Sequence, residues 1–139
     1  MTRLPGWESR LYALERDSRE FAFVWGMHDC CTFAAAAIEA VTGQPVSLPG
    51  PYESARQAHR LLKARSGLQA AVTAILGVEA SAPQFAQRGD LVLVSQPKSL
   101  QRHALAVCYG AFAYAPGDDG LVSIQMKSPD VLAVWHIGH

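Results

Sequence analysis

The sequence predicts an α+β domain in which N-terminal helices pack on a C-terminal antiparallel sheet. Apolar residues recur at helical spacing in the first half of the chain, whereas from Gly89 onward the pattern changes to short β-like runs. The segments between these runs are short and rich in turn residues, which favours antiparallel pairing. Helices followed by strands are typical of an α+β arrangement. The chain has 139 residues, the length of one domain, so we expect a single domain over 1–139.

The periodicity places each element. Trp7, Leu11 and Leu14 recur at helical spacing after Pro5-Gly6, and Gly43 is a residue type that ends helices. The loop QPVSLPGP follows Gly43 and contains three prolines and a glycine. The expected helices are one after Pro5-Gly6, one from about Cys30 to Thr42, and two shorter ones at about 53–65 and 68–76. The expected strands are DLVLVS, HALAVCY, AFAYA, LVSIQM and VLAVWHI.

Charge and hydropathy exclude several classes of protein. Twelve basic residues balance twelve acidic ones, which argues against nucleic acid as a partner because such binders usually carry a basic excess. No apolar stretch approaches the roughly 18 residues of a membrane helix, so we expect no membrane anchor. The N-terminus also lacks the apolar core of a signal peptide, and synthesis in a bacterial cytoplasm is therefore expected. The three cysteines are an odd number, which predicts at least one free thiol.

The segment before the second helix carries the strongest chemical signal. Asp29 is a preferred N-cap residue, so Cys30 falls at the first helical position. Helix N-termini stabilise a thiolate, the nucleophilic form of cysteine. At about 100° per residue, Cys30 lies in the middle of the apolar stripe and Cys31 near its edge. The alternative is that both cysteines are small buried hydrophobes, which is common for free thiols.

A cysteine nucleophile needs a base, which is normally a histidine on another element. His103 opens the strand HALAVCY, and alternation places it on one face with Leu105 and Val107 and places Cys108 on the other. This parity argues against a metal shared by His103 and Cys108. His136 in VLAVWHI is the weaker rival. Of the other three histidines, His28 is expected at the rim of the site and His59 on the surface, and His139 is the last residue.

Two motifs together resemble a known family, the NlpC-like cell-wall peptidases, which are papain-like cysteine enzymes. GMHDCCTFAAAAIEA is similar to the family's nucleophile motif, in which Asp-Cys stands at a helix start. RGDLVLV followed by HALAVCYG is similar to the second motif, a Gly-Asp-Leu strand start before a strand that begins with His. The match spans about residues 22–115 and most resembles the short members encoded in phage tail-tip gene clusters.

The resemblance implies a papain-like fold and a role for each matched residue. Cys30 would be the nucleophile and His103 the base, and the Cys30 backbone N–H would contribute to an oxyanion site. Asp29 would cap the helix, and Asp90 would fix a turn. The implied substrate is an amide bond of a peptidoglycan stem peptide, with no cofactor and no metal. The implied location is the virion, with phage tail hub or tail-tip proteins as partners.

The chain also departs from the family pattern. The family has a third polar residue that orients the imidazole, and the expected position falls near Ala115, which cannot accept a hydrogen bond. Gln125 or Ser123 on the following strand, or a backbone carbonyl, could substitute. An inactive structural subunit of the tail tip with the same fold is therefore the alternative function. A metal-binding module that uses His28, Cys30, Cys31 and a distal His or Cys is a further alternative, although the sequence lacks the paired CxxC motifs of zinc sites. Docking to a tail protein is expected on the first helix, at Trp7, Leu11 and Tyr12, and on the C-terminal run VWHIGH.

Overall fold

A computed structural model describes residues 1–48 and 51–138. It shows four α-helices followed by a five-stranded antiparallel sheet, as the sequence predicts. The described chain omits Pro49 and Gly50 of the predicted loop and the final His139. The helices are α1 (Trp7–Ser18), α2 (Cys30–Thr42), α3 (Ala55–Ala64) and α4 (Leu68–Leu76), with a short 3-10 helix at Pro83–Phe85. The strands are β1 (Leu91–Ser95), β2 (His103–Cys108), β3 (Phe112–Gly117), β4 (Gly120–Gln125) and β5 (Val131–Trp135).

The strand order in the sheet is β4-β3-β2-β1-β5. The first four strands form consecutive hairpins, and β5 returns to pair with the free edge of β1. Neighbouring strands in this order are antiparallel. The predicted α+β class and the order of helices before strands are therefore confirmed.

The sheet opens between β2 and β3. In the described part of the chain these two strands pair at only two positions, Val107 with Tyr114 and Cys108 with Ala113. By contrast, β3 pairs with β4 along its whole length, and β2 pairs with β1 from His103 onward. The first half of β2 therefore has no partner strand on the β3 side, and a cleft forms there.

Helix α2 packs on the sheet next to this cleft. Its capping residues are those that the sequence predicts, with Asp29 at the N-terminus and Gly43 in a left-handed conformation at the C-terminus. Its buried face includes Phe33, Ala37 and Val41, and the alanines allow the helix to approach β2 closely. The helix thus carries its first residue, Cys30, to the open end of the sheet.

The two segments expected to dock a partner are largely part of the core. Leu11, Trp135 and Ile137 have no exposed surface. The Tyr109 hydroxyl donates a 2.8 Å hydrogen bond to the Leu11 carbonyl, which ties α1 to the end of β2. Tyr12 is the exposed residue among the predicted contacts on α1. The expectation of a docking surface on these segments is wrong for the buried residues, because burying their side chains within the chain leaves nothing for a partner to contact.

Candidate active site

A cavity of about 590 Å³ lies at the opening between β2 and β3. Cys30 and His103 both line it, so the structure brings the two predicted catalytic residues to one site. Apolar and aromatic side chains form much of the wall, and the β1–β2 loop adds polar groups. These lining residues include Phe23, Trp25, Tyr52, Val94, Ala115, Val122 and Ile124, with Ser95, Gln96, Ser99 and Gln101 from the loop side.

The buried Asp29 carboxylate fixes the start of α2. One carboxylate oxygen accepts a hydrogen bond from the Thr32 backbone N–H (2.9 Å), and the other accepts from the Gly26 N–H (2.8 Å). The Thr32 hydroxyl accepts from the Asp29 N–H (2.8 Å), which completes a capping box. Cys30 is therefore held at the first helical position, where the positive end of the helix dipole lies.

Two neighbouring donor groups favour the thiolate form of Cys30. The Cys31 thiol and the Leu105 backbone N–H both lower the pKa of Cys30, Cys31 having the larger effect, while burial opposes them. The Leu105 N–H is available because β2 lacks its β3 partner at this point. Conversely, the Cys30 sulfur and burial together raise the pKa of Cys31 well above its usual range. Of the two thiols, Cys30 is therefore the one whose thiolate is favoured.

Cys31 is more deeply buried than its predicted position near the edge of the apolar face of α2 implies. Its exposed fraction is only 4%, whereas Cys30 is partly exposed to the cavity. Tyr52 lines the cavity together with Cys31, and burial, with the charges of Cys31 and Asp29, strongly raises the pKa of its hydroxyl. Helical periodicity cannot reveal this arrangement, because Tyr52 reaches α2 from the far end of a proline-rich loop.

The His103 imidazole has no hydrogen-bond partner among the described residues. His103 starts β2 opposite Ser95 of β1, and it follows Arg102, which has a left-handed φ of 61°. Ser123 and Gln125 do not reach it. They alternate along β4 with Val122 and Ile124, and it is these apolar residues that line the cavity.

Ala115 lines the cavity, as the expected third position requires, but it offers no polar atom. The cavity lining offers another candidate, Asp118 in the turn between β3 and β4. Asp118 is exposed and lines the same cavity as His103. The cavity wall therefore includes a carboxylate as well as the histidine.

His136, the weaker rival of His103, belongs to a different cluster. Its Nδ1 lies 3.0 Å from a carboxylate oxygen of the fully buried Asp90. Asp90 also accepts hydrogen bonds from the backbone N–H groups of Gln87 (2.9 Å) and Ile137 (3.0 Å) and from the Arg3 guanidinium (3.0 Å). Asp90 fixes a turn and anchors both chain ends, so this cluster has a structural role.

His28 and His59 lie outside the cavity lining. His28 packs edge-on between Phe21 and Phe33, and burial lowers its pKa, opposed by the charge of Asp29. His59 on α3 is half-buried. The expectation that His28 lines the rim is therefore wrong, since its ring packs between these two phenylalanines and is not part of the cavity lining.

Metal-ligand clusters and membrane-spanning helices are both absent from residues 1–48 and 51–138. Within that part of the chain, no group of three or more His, Cys, Asp or Glu side chains is arranged to hold a metal ion. No helix there is long and apolar enough to cross a membrane.

The fold and site define an α+β domain in which a helix-terminal thiol and a strand-initial histidine line one cavity. The chain belongs to a family described as a domain of unknown function (DUF6950), whose model matches residues 2–137. No curated protein matches the sequence.

Proposed function

We propose that the chain is a cysteine hydrolase with a papain-like, NlpC-type fold that cleaves amide bonds of peptidoglycan stem peptides. One observation carries the proposal: Cys30 and His103 line the same cavity. The neighbouring Cys31 thiol and Leu105 N–H also lower the pKa of Cys30, which favours its thiolate. A stabilised thiolate beside an imidazole is the arrangement that nucleophilic acyl transfer requires.

The proposed reaction has two steps. The Cys30 thiolate attacks the amide carbonyl carbon, and the Cys30 backbone N–H at the helix terminus stabilises the oxyanion. The C–N bond breaks as protonated His103 gives a proton to the leaving amine, which leaves a thioester on Cys30. His103 then takes a proton from water, whose oxygen attacks the thioester. The acyl group leaves as a carboxylic acid, and the free thiolate and protonated histidine are restored.

The charges on the cavity wall indicate which substrate groups fit it. Apart from the cysteines, Tyr52 and His103, the ionisable side chains among the described lining residues are Asp118 and Asp130, both acidic. No lysine or arginine is among those lining residues. Substrate segments near Cys30 are therefore expected to be neutral or to carry an ammonium group, as stem peptides with a free amino side chain do.

Mass spectrometry of stem-peptide fragments tests the proposal. Wild-type protein is expected to release two products whose masses sum to the substrate plus one water. The Cys30→Ala and His103→Ala variants should release neither product. Cys108→Ala is the matched control, since this buried thiol lies outside the cavity lining. Equal turnover by wild type and Cys30→Ala would refute the hydrolase.

Asp118 is proposed as the group that orients His103, in place of the Ala115 position. Because Asp118 is exposed, substrate binding would have to bring it to the imidazole. Asp118→Asn should then lower kcat while leaving the reactivity of the Cys30 thiol unchanged. If kcat is unchanged in Asp118→Asn, Asp118 is not the group that orients His103.

The second candidate function is a structural subunit of a phage tail tip with the same fold. Two observations favour this structural function. Ala115 has no polar side-chain atom, and the His103 imidazole has no hydrogen-bond partner within the described chain. In either case we propose that the chain is carried in the virion with tail hub or tail-tip proteins. Proteomics of purified infectious particles tests this location. Presence of the chain there without turnover would select the structural function, and absence would refute the virion assignment.

A further inference from the structure

The outer edge of β4 is open to a further strand. β4 is a terminal strand of the sheet, and no other described segment forms a ladder along its free side. The opposite terminal strand, β5, is covered, because Ser81 and Val134 exchange two backbone hydrogen bonds of 2.7 and 2.9 Å. Sheet edges are commonly protected by a charged residue, a proline or a bulge. The β4 sequence GLVSIQ has no charge and no proline, and its register with β3 is regular.

The alternation of the strand decides which main-chain groups of β4 face this edge. The Leu121 N–H points away from β3 and donates a 3.1 Å hydrogen bond to the Arg19 carbonyl. The N–H and C=O groups of Ser123 and Gln125 face the same side, because the direction alternates from residue to residue. The Gln125 carbonyl accepts from the Ser128 N–H (2.9 Å). Four groups at this edge therefore have no partner among the described residues: the Leu121 carbonyl, both groups of Ser123 and the Gln125 N–H.

These four groups are complementary to the same four groups on a second copy of the chain. When two β4 strands pair antiparallel with Ser123 opposite the partner's Ser123, the two residues exchange two N–H···O=C bonds. The Gln125 N–H then meets the partner's Leu121 carbonyl, and the two-fold symmetry repeats this bond. The ladder ends where the Leu121 N–H and the Gln125 carbonyl are already bonded within the chain.

The side chains around β4 favour the same antiparallel register. On the cavity face, Val122 is 48% exposed and falls opposite the partner's Ile124, which pairs two β-branched residues. Asp119 stands one residue before β4, Lys127 stands two residues after it, and both are exposed. Antiparallel pairing brings the start of one strand beside the end of the other. Asp119 therefore lies at the register position opposite the partner's Lys127 at each end of the ladder.

We propose that the β4 edge is the interface of a symmetric homodimer, in which two sheets join into one continuous sheet. A second copy is the favoured occupant because both the hydrogen-bonding groups and the charges of this edge complement themselves. The interface is one strand wide and thus at the small end of protein interfaces, so we expect a Kd on the order of 1–100 µM. Neither Cys30 nor His103 takes part, so the dimer stands or falls separately from the hydrolase.

Sedimentation velocity of the full chain tests the dimer over about 1–500 µM, a range that brackets the expected Kd. The wild type should change from monomer to dimer as the concentration rises. Ser123→Pro removes an N–H that faces the edge and not β3, a position where an edge strand tolerates proline. It should raise the Kd at least about 100-fold, because two bonds of the ladder are lost and the ring occupies the partner's place. Circular dichroism checks that this variant is folded.

A charge exchange tests the register and does not depend on the proline variant. Lys127→Glu places like charges opposite each other at both ends and should raise the Kd about tenfold. The double variant Asp119→Lys/Lys127→Glu restores opposite charges and should return the Kd to within about threefold of the wild type. Lys98→Glu is the matched control, since it makes the same charge change in the exposed β1–β2 loop and should leave the Kd unchanged.

Three results would overturn the proposal. One is a wild-type chain that stays monomeric at about 500 µM. Another is a dimer that persists in folded Ser123→Pro, because the contact would then lie on another surface. The third is a double variant that associates no more tightly than Lys127→Glu, since opposite charges would then not face each other across two antiparallel β4 strands.

Discussion

Replacing Asp29 by alanine should destabilise the fold through the start of α2. The substitution removes the acceptor for the Thr32 N–H, an N-cap contribution of about 1 kcal/mol. It also removes the partner of the Gly26 N–H, worth about 1 kcal/mol. The sum is about 2 kcal/mol, a substantial part of the roughly 5–15 kcal/mol that stabilises a domain. The melting temperature should fall by roughly 6 °C.

Thermal and urea unfolding followed by circular dichroism measure this loss. Asp17→Ala is the matched control, because the Asp17 side chain is 70% exposed and its ion pair with Arg16 is on the surface. It should change the unfolding free energy by less than about 0.5 kcal/mol. Asp29→Asn keeps the cap acceptor but presents an amide NH2 to the Gly26 N–H, so it should fall between the two. If Asp29→Ala is as stable as Asp17→Ala, the carboxylate does not fix this turn.

Three further predictions concern reactivity, backbone strain and pH. Near neutral pH, Cys30 should alkylate faster than Cys31 or Cys108, whose pKa is raised by burial; equal labelling in peptide mapping would contradict the thiolate assignment. Arg102 has a positive φ, so Arg102→Val should lower the unfolding free energy measured in urea by about 1–2 kcal/mol. Arg102→Gly should lower it less. The reverse order of the two variants would exclude backbone strain as the cause. Burial lowers the pKa of His28, so the unfolded chain binds that proton more readily than the folded chain. The stability that neutral His28 contributes is present above about pH 6.5 and is lost as the pH falls below that value. The unfolding free energy of His28→Phe should therefore fall less between about pH 7.5 and about pH 5 than that of the wild type. Equal decreases in the two proteins would show that His28 is not responsible.

Local signals in the sequence predict the elements well. The second helix is expected from about Cys30 to Thr42 and is observed over those residues, because Asp29 and Gly43 mark its ends by their own chemistry. The five strands lie where the apolar runs predict, since alternation and turn residues act over a few positions.

Contacts between distant segments were not predictable in this way. The pairing of β5 with β1 and the opening between β2 and β3 depend on packing across the sheet, which periodicity does not encode. Tyr52 follows a proline-rich loop, and nothing in its sequence neighbours indicates that it lines the same cavity as Cys31. Ser123 was a reasonable candidate by residue type, but its side chain lies on the wrong side of β4 for the cavity, as one-residue alternation dictates.

The opening between β2 and β3 gives an interior strand the properties of an edge strand. Main-chain groups in the first half of β2 face the opening without a neighbouring strand, and one of them, the Leu105 N–H, turns to Cys30. Unpaired strand edges bind extended peptides through the backbone, and they also promote aggregation when exposed. Here the start of α2 lies against the opening, so the unpaired edge faces a cavity and not open solvent. An extended peptide that enters the cavity would first align its main chain along β2. Its side chains would contact the cavity walls only afterwards.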